Sequence, residues 1–269
     1  MGVGTVVVKI GGGDGAVDPA RLGADVAALT TGGTRVVLVH GGSAEMARLA
    51  AELGVGLREM AAPDGVTTRY TDTATLDVLT LALAGRVKPA LVVDLARCGV
   101  PAVGLTGLDA GLLRARRRRA VRAVVEGRTM IVRDDHSGRI VVVNTTLLTT
   151  LLGSGLVPVV SPPALDENTE PVNVNADRIA AAVAGALGAQ WLVFLTAAAG
   201  VRDAAGRVLR RYRVSPGGRD PAVTGGMTIK LVAAGEARAA GVPHVAVGYG
   251  RAERPVSAIL AGGSGTVID

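Results

Sequence analysis

The chain has 269 residues, of which 49% are hydrophobic and 2% aromatic, and carries a formal net charge of +6 at pH 7. At roughly 100–200 residues per domain, this length suits one large α/β domain or two lobes sharing a sheet, with a core that needs neither disulfides nor a structural metal. The single Cys98 excludes a disulfide framework and a Cys-based zinc site, three histidines leave little room for a His-ligated metal, and the scarcity of aromatics removes the stacking platforms of single-strand nucleic-acid binders.

Residues 5–10 form an apolar β-branched run that stops at Gly11-Gly12-Gly13. Asp18-Pro19 predicts a helix start, and apolar residues at helical spacing over 22–29 carry the helix to Thr31-Gly32-Gly33. A second β run over 35–39 closes on His40-Gly41-Gly42-Ser43, and 44–53 reads as another helix. Strand, glycine turn and helix, repeated, predict a parallel sheet with right-handed crossovers. Residues 73–83 and 88–98 predict helices and 101–105 a strand. Residues 114–125 and 128–132 read as strands of a hairpin or meander, 140–143 as a short strand and 145–152 as a helix. A strand over 156–161 is stopped by Pro162-Pro163, and an Ala-rich helix over 177–187 is capped by Gly188. A strand over 191–196, a long helix over 227–240 and a strand over 244–247 complete the pattern. The Gly-, Arg- and Asp-rich stretch 197–224 reads as a mobile flap. No repeat of fixed period occurs, and no apolar run approaches the roughly 20 residues of a membrane span. The N-terminus runs straight into a strand-like segment, so no signal peptide is expected, which with the lone cysteine points to the cytoplasm.

In parallel α/β sheets, ligands sit beyond the carboxyl ends of the strands. Gly11-Gly12-Gly13 and Gly41-Gly42 occupy that place, where glycine allows close backbone approach and the next helix offers free N–H groups to an anion such as phosphate. Either cluster alone also suits an ordinary strand-to-helix turn. The P-loop, the dinucleotide-binding glycine pattern, the protein-kinase signatures and the serine-hydrolase elbow are all missing.

Only three of the 29 basic residues are lysines, Lys9, Lys88 and Lys230; the other 26 are arginines. A lysine in such a chain is either a chance survivor or a site that wants a compact ammonium. Lys9 stands two residues before the first glycine turn, and Lys230 follows Thr224-Gly225-Gly226-Met227. Ammonium groups there would suit phosphoryl transfer, which rests on positioning and charge neutralisation. Asp177, in Asn173-Val174-Asn175-Ala176-Asp177, serves equally as a plain helix N-cap or as a partner for two lysines. Lys88, in a predicted helix, reads as structural.

The ordered set Lys9-Ile10-Gly11-Gly12, His40-Gly41-Gly42-Ser43, Asn173 to Asp177 and Gly225-Gly226-Met227-Thr228-Ile229-Lys230 resembles the amino acid kinase family over essentially the whole chain. The resemblance implies a three-layer αβα sandwich around a mainly parallel sheet, in two lobes. Residues 1–171 would bind the acceptor or carrier protein and form the dimer contact, and residues 172–269 would bind ATP. It implies Lys9 at the moving γ-phosphoryl group, Lys230 at the β- and γ-phosphates and Asp177 organising both. Gly11, Gly12, Gly41, Gly42, Thr196, Gly226 and Met227 would line the phosphoryl and ATP site, with Gly12 and Gly42 donating N–H groups. Arg69, in Thr68-Arg69-Tyr70, would grip the acceptor's α-carboxylate, and Asn173 and Asn175 would help hold the acceptor. Mg2+ would be held by the ATP phosphates, with no protein carboxylate as ligand.

Within that family the chain resembles the branch that phosphorylates side-chain carboxylates: acetylglutamate kinases, and kinases for aminoadipate or glutamate tethered to a LysW-type amino-group carrier protein. The turn His40 to Glu45 and the basic stretch Arg114, Arg116, Arg117, Arg118, Arg119 and Arg122 favour the second. Such a concentrated positive field speeds encounter with a small acidic protein, although a solvated basic hairpin without a partner has the same sequence. Nucleic acid is disfavoured by the lack of interleaved aromatics. Ala197 stands where relatives often carry Asp or Asn, leaving open weaker ATP binding or a non-catalytic nucleotide-binding regulator. The family usually forms homodimers.

Overall fold

The computed structural model describes residues 4–61, 67–125, 128–214, 223 and 225–269. In chain order the first half holds β1 (Thr5–Ile10), α1 (Pro19–Thr31), β2 (Arg35–His40), α2 (Ser43–Glu52), β3 (Arg58–Ala61), β4 (Thr67–Tyr70), α3 (Thr73–Thr80), a π-helical segment (Leu81–Val87), α4 (Lys88–Arg97), β5 (Ala102–Thr106), β6 (Leu113–Arg117) and β7 (Val121–Val125). Next come β8 (Arg128–Val132), β9 (Gly138–Val143), α5 (Thr145–Gly153), β10 (Val157–Ser161), β11 (Ala164–Leu165), β12 (Pro171–Val172), α6 (Ala176–Ala186) and β13 (Trp191–Thr196). The chain ends with β14 (Arg211–Tyr212), α7 (Gly226–Ala239), β15 (His244–Tyr249), α8 (Ser257–Leu260) and β16 (Thr266–Ile268).

Eight strands form one sheet in the order β14-β16-β15-β13-β1-β2-β10-β5. From β15 to β5 all neighbours run parallel, while β16 runs antiparallel to β15. All six residues of β1 are buried, as expected of a parallel strand covered on both faces. Successive side chains alternate between those faces. Val6, Val8 and Ile10 pack with Leu22 and Val26 of α1 and Leu91 and Leu95 of α4. Val7 packs with Ile179 and Val183 of α6 and Leu231 of α7. Two apolar clusters on opposite faces of one sheet are the three layers the sequence implied. Lys9 follows Val7 and so falls on the α6 face.

Two small four-stranded sheets, β12-β11-β6-β9 and β4-β3-β7-β8, lie outside the central sheet. Residues 114–125 are therefore not one strand of a hairpin. They break after Arg117, and Ala120 takes a left-handed φ of 54°. β6 then pairs with β9, and β7 with β3 and β8. The helices expected over 73–83 and 88–98 join through the π-helical segment, where the Lys88 N–H reaches the carbonyl of Leu83. Pro89 lacks an N–H and its ring crowds the carbonyl four residues back, so the wider turn lets the helix continue past it. Within the expected flap, Arg202 bridges to Val208 and Arg211–Tyr212 forms β14, whereas 215–222 and Thr224 lie outside the described residues. Among the described residues, no helix is long and apolar enough to cross a membrane.

Candidate active site

β1 and β2 are parallel neighbours in matched register, so their glycine turns emerge side by side. Their approach is close: a Cβ on Gly12 would stand 2.7 Å from Gly42 N. Ser43 Oγ and Ala44 N both donate to Gly12 O, at 3.0 and 3.1 Å, tying the first turn to the start of α2. Helix α2 has no side-chain cap. The Gly42 N–H finds no hydrogen-bond acceptor among the described residues.

Asp177 sits in the first turn of α6 above β1, and Asn175 is the helix cap, its Oδ1 accepting from the N–H groups of Asp177 and Arg178 at 2.9 and 3.2 Å. That leaves the Asp177 carboxylate for charges. Oδ1 lies 2.9 Å from Lys9 Nζ and Oδ2 lies 3.5 Å from Lys230 Nζ. The Lys9 and Asp177 side chains are buried and that of Lys230 is largely so. Burial pulls the Lys230 pKa down, Asp177 pulls it back up and Lys9 lowers it further. One carboxylate thus holds two ammonium groups, and the three-group set keeps an excess of one positive charge.

Helix α7 brings Lys230. Its N-cap, Gly225, has φ 64°, a conformation open to glycine, and among the described residues no side chain caps the first turn. Arg178 Nε donates to both Glu236 carboxylate oxygens, at 3.1 and 3.0 Å, which locks α6 to α7 and fixes Asp177 against Lys230.

These groups line a cavity of about 430 Å3, whose walls include Gly12, Gly41, Gly42, Asn173, Asn175 and Gly226. Arg69, on β4, closes the far side. Its Nη1 is 3.4 Å from Met46 Sδ, burial lowers its pKa, and Glu59 opposes that from the paired position on β3. Asn173 Nδ2 donates to Thr71 Oγ1 at 3.2 Å. Three of the expected residues are not among those lining this cavity. Gly11 donates to Leu195 O and lines a second cavity on the α1 side, and a Cβ there would meet Leu195 O at 2.9 Å. The Thr196 carbonyl takes the Gly250 N–H, and Met227 packs against the main core.

The basic stretch divides. Arg114, Arg116, Arg118 and Arg119 are exposed and Arg117 is half-buried. Arg119 pairs with Glu167 at 2.9 Å and Arg117 Nε donates to Asp135 O at 3.0 Å. Arg118 lines the cavity itself, held by its N–H to Ser137 O. Arg122 lies in β7, and its side chain is outside the described residues.

The sequence pattern missed Arg118 as a cavity residue, and it missed Asp135. The wholly buried Asp135 accepts from Thr71 N at 3.0 Å and from Ser137 Oγ, binding the end of β4 to the cavity wall. An acidic pair, Asp134-Asp135, between two β runs was the available signal. Among the described residues, no three His, Cys, Asp or Glu side chains converge as a metal site.

An αβα sheet with two lysines sharing a buried aspartate beside paired glycine turns defines a phosphotransferase class. The amino acid kinase family model matches residues 4–248, and the chain belongs to that family. It is 38% identical to the LysW-aminoadipate kinase of Deinococcus radiodurans, covering 99% of this chain and 92% of that one. The protein of the same name from Thermus thermophilus is 37% identical over 98% and 99% of the two chains. An acetylglutamate kinase of Nitratidesulfovibrio vulgaris is 36% identical over 93% and 81%. In fold, the chain resembles the smu.665 structure from Streptococcus mutans, with a TM-score of 0.77 at 23% identity over 98% of each chain.

Proposed function

We propose that the protein transfers the γ-phosphoryl group of ATP to the side-chain carboxylate of aminoadipate, glutamate or an analogue held on a small acidic LysW-type carrier protein. The observation that carries this reading is the Lys9–Asp177–Lys230 set, placed between two glycine turns and Arg69 in one cavity. The carrier-linked acceptor is supported by the similarity to LysW-aminoadipate kinases and by the arginines from 114 to 122.

The donors fit a polyphosphate. Lys230 and the uncapped start of α7 face the β- and γ-phosphates, while Lys9 and the Gly12 and Gly42 N–H groups receive the moving phosphoryl. Two ammonium groups already face Asp177 and would repel a cation there, so Mg2+ would be held by the ATP phosphates and would neutralise part of their charge. Arg69 and Asn173, with Asn175 beside them, orient the acceptor. An ionised carboxylate oxygen forms the new bond to phosphorus as the bond to the ADP oxygen breaks, giving an acyl phosphate and ADP. No proton moves, so the site needs no general base. Its work is positioning and charge neutralisation.

In this reading the lobe of residues 1–171 holds the acceptor and the carrier, residues 172–269 hold ATP, and the enzyme works in the cytoplasm as a homodimer. Lys230→Ala should remove most turnover while the protein stays folded, and near-wild-type rates would sink the lysine assignment. Hydroxylamine trapping should yield a product with carrier-linked acceptor. A product with free N-acetylglutamate alone makes the protein an acetylglutamate kinase instead. ATP binding with no acyl phosphate on either acceptor makes it a nucleotide-binding regulator, the role for which Ala197 is the hint.

A further inference from the structure

His40 ends β2 and is almost fully buried, yet the phosphoryl-transfer scheme gives it no part. Its Nδ1 lies 3.0 Å from Gly41 O. A carbonyl can only accept, so Nδ1 carries the proton and Nε2 is the bare nitrogen. Nε2 is buried and has no partner among the described residues, so the ring's one hydrogen bond is the one to Gly41.

That bond matters because of what lies at the other end of the same peptide. Gly41 C=O and Gly42 N–H belong to one planar trans unit, in which oxygen and hydrogen point in opposite directions. Gly41 and Gly42 have no side chains to hold the plane, and glycine lets it rotate. Gly42 also sits too tightly for a Cβ, which would meet Leu83 Cδ2 at 2.5 Å. Pinning the carbonyl from behind therefore aims the Gly42 N–H forward, where it has no protein acceptor among the described residues. A hydrogen bond to the carbonyl also polarises the N–H of the same amide.

We propose that His40 is a positioning residue for phosphoryl transfer: its Nδ1–H holds the Gly41 carbonyl so that the Gly42 N–H faces the moving phosphoryl group. The inference rests on the functional reading above. Burial, together with the charges of Lys88 and Lys9, pushes the His40 pKa down to about 4 against the pull of the Gly41 carbonyl, so the ring stays neutral at neutral pH.

The test compares three variants in the hydroxylamine assay with carrier-linked acceptor. His40→Asn places an amide N–H near the Nδ1 position, His40→Gln carries it one methylene too far, and His40→Leu matches Asn in shape without a donor. The Leu and Gln variants should lose roughly ten- to a hundredfold in kcat, with KM for ATP and acceptor within about twofold, because the donor acts on the transferring group. His40→Asn should recover most of kcat. Wild-type kcat in the Gln or Leu variant, or an Asn variant as slow as Gln, overturns the proposal. If the Leu protein does not fold, the Asn and Gln pair still separates the two outcomes, because both bury an amide. A wild-type enzyme that makes no acyl phosphate on any acceptor fails the functional reading itself, which these variants do not touch.

Discussion

The floor and the rim of the cavity use positive charge in opposite ways. At the floor, Lys9 is buried and Lys230 largely so, and they share one carboxylate at 2.9 and 3.5 Å. At the rim, arginines stand in water, and Arg119 meets Glu167 with both side chains well exposed. A buried charge set is fixed in place and strong at short range. An exposed one is mobile, screened and useful at long range. The split also explains the composition: two of three lysines lie where a compact ammonium touches a buried carboxylate, while the arginine excess gathers at the surface.

The comparison breaks most sharply at Asp177. Asp177→Asn leaves two buried ammonium groups facing each other without a counter-charge. Removing one partner of a buried ionic set costs about 3–5 kcal/mol of stability. The kcat should fall by roughly a thousandfold, since both phosphate-binding lysines lose their anchor. A kcat within tenfold of wild type would show that Asp177 organises nothing.

Arg69 stands between floor and rim, half-buried, with Glu59 as an opposing charge near it. Arg69→Ala should raise the acceptor KM by about a hundredfold and leave the ATP KM alone, as expected for loss of a charge-assisted carboxylate contact. Equal effects on both KM values would place Arg69 outside the acceptor site.

The legible parts of this architecture were those with a single cause. β1, β2, β10, β13 and β15 are buried on both faces over most of their length, so each reads as a mainly apolar run. The glycine turns and lysines were readable because each sits at a strand end or helix start that the local pattern already marks. The small sheets were legible only in part: β8 and β9 read as strands, β3 and β4 did not. Arg58–Ala61 and Thr67–Tyr70 are four residues each and rich in polar side chains, with nothing to separate them from a loop. Residues 114–125 keep a strand-like pattern straight through a break that depends on Ala120 at φ 54°, which alanine does not advertise. Hence the basic run looked like one face and is in truth divided: Arg118 enters the cavity, and Arg117 is tied down.

Lys88 sharpens the contrast from inside the fold. It is buried, its stem lies against Gly104, and no carboxylate pairs with it among the described residues. Burial pushes its pKa down to about 8, against a pull from Asp109. The folded protein then binds fewer protons than the unfolded chain between about pH 8 and 10.5, so Lys88 makes stability rise with pH across that window. Below pH 8 both states are protonated and the penalty is constant. Lys88→Met should be more stable than wild type at pH 7, by on the order of 1–3 kcal/mol, and that advantage should shrink from pH 8 to 10.5. A variant less stable at pH 7 would mean that the ammonium has a favourable partner.

The smallest effect belongs to the rim. Arg116 and Arg119 are exposed, and an exposed pair such as Arg119 with Glu167 is worth about 0–1 kcal/mol, so their loss should leave folding unchanged. Their long-range field is another matter. Arg116→Gln with Arg119→Gln should slow association with an acidic carrier several-fold at low salt, and the difference should vanish near 1 M salt, where the Debye length is about 3 Å. Turnover of a free N-acetylated acceptor, which carries no protein surface, should not change. A loss that persists at high salt would mean that these arginines make close contacts instead of steering. A loss shared by the free acceptor would mean that they act in the cavity, as Arg118 is placed to do.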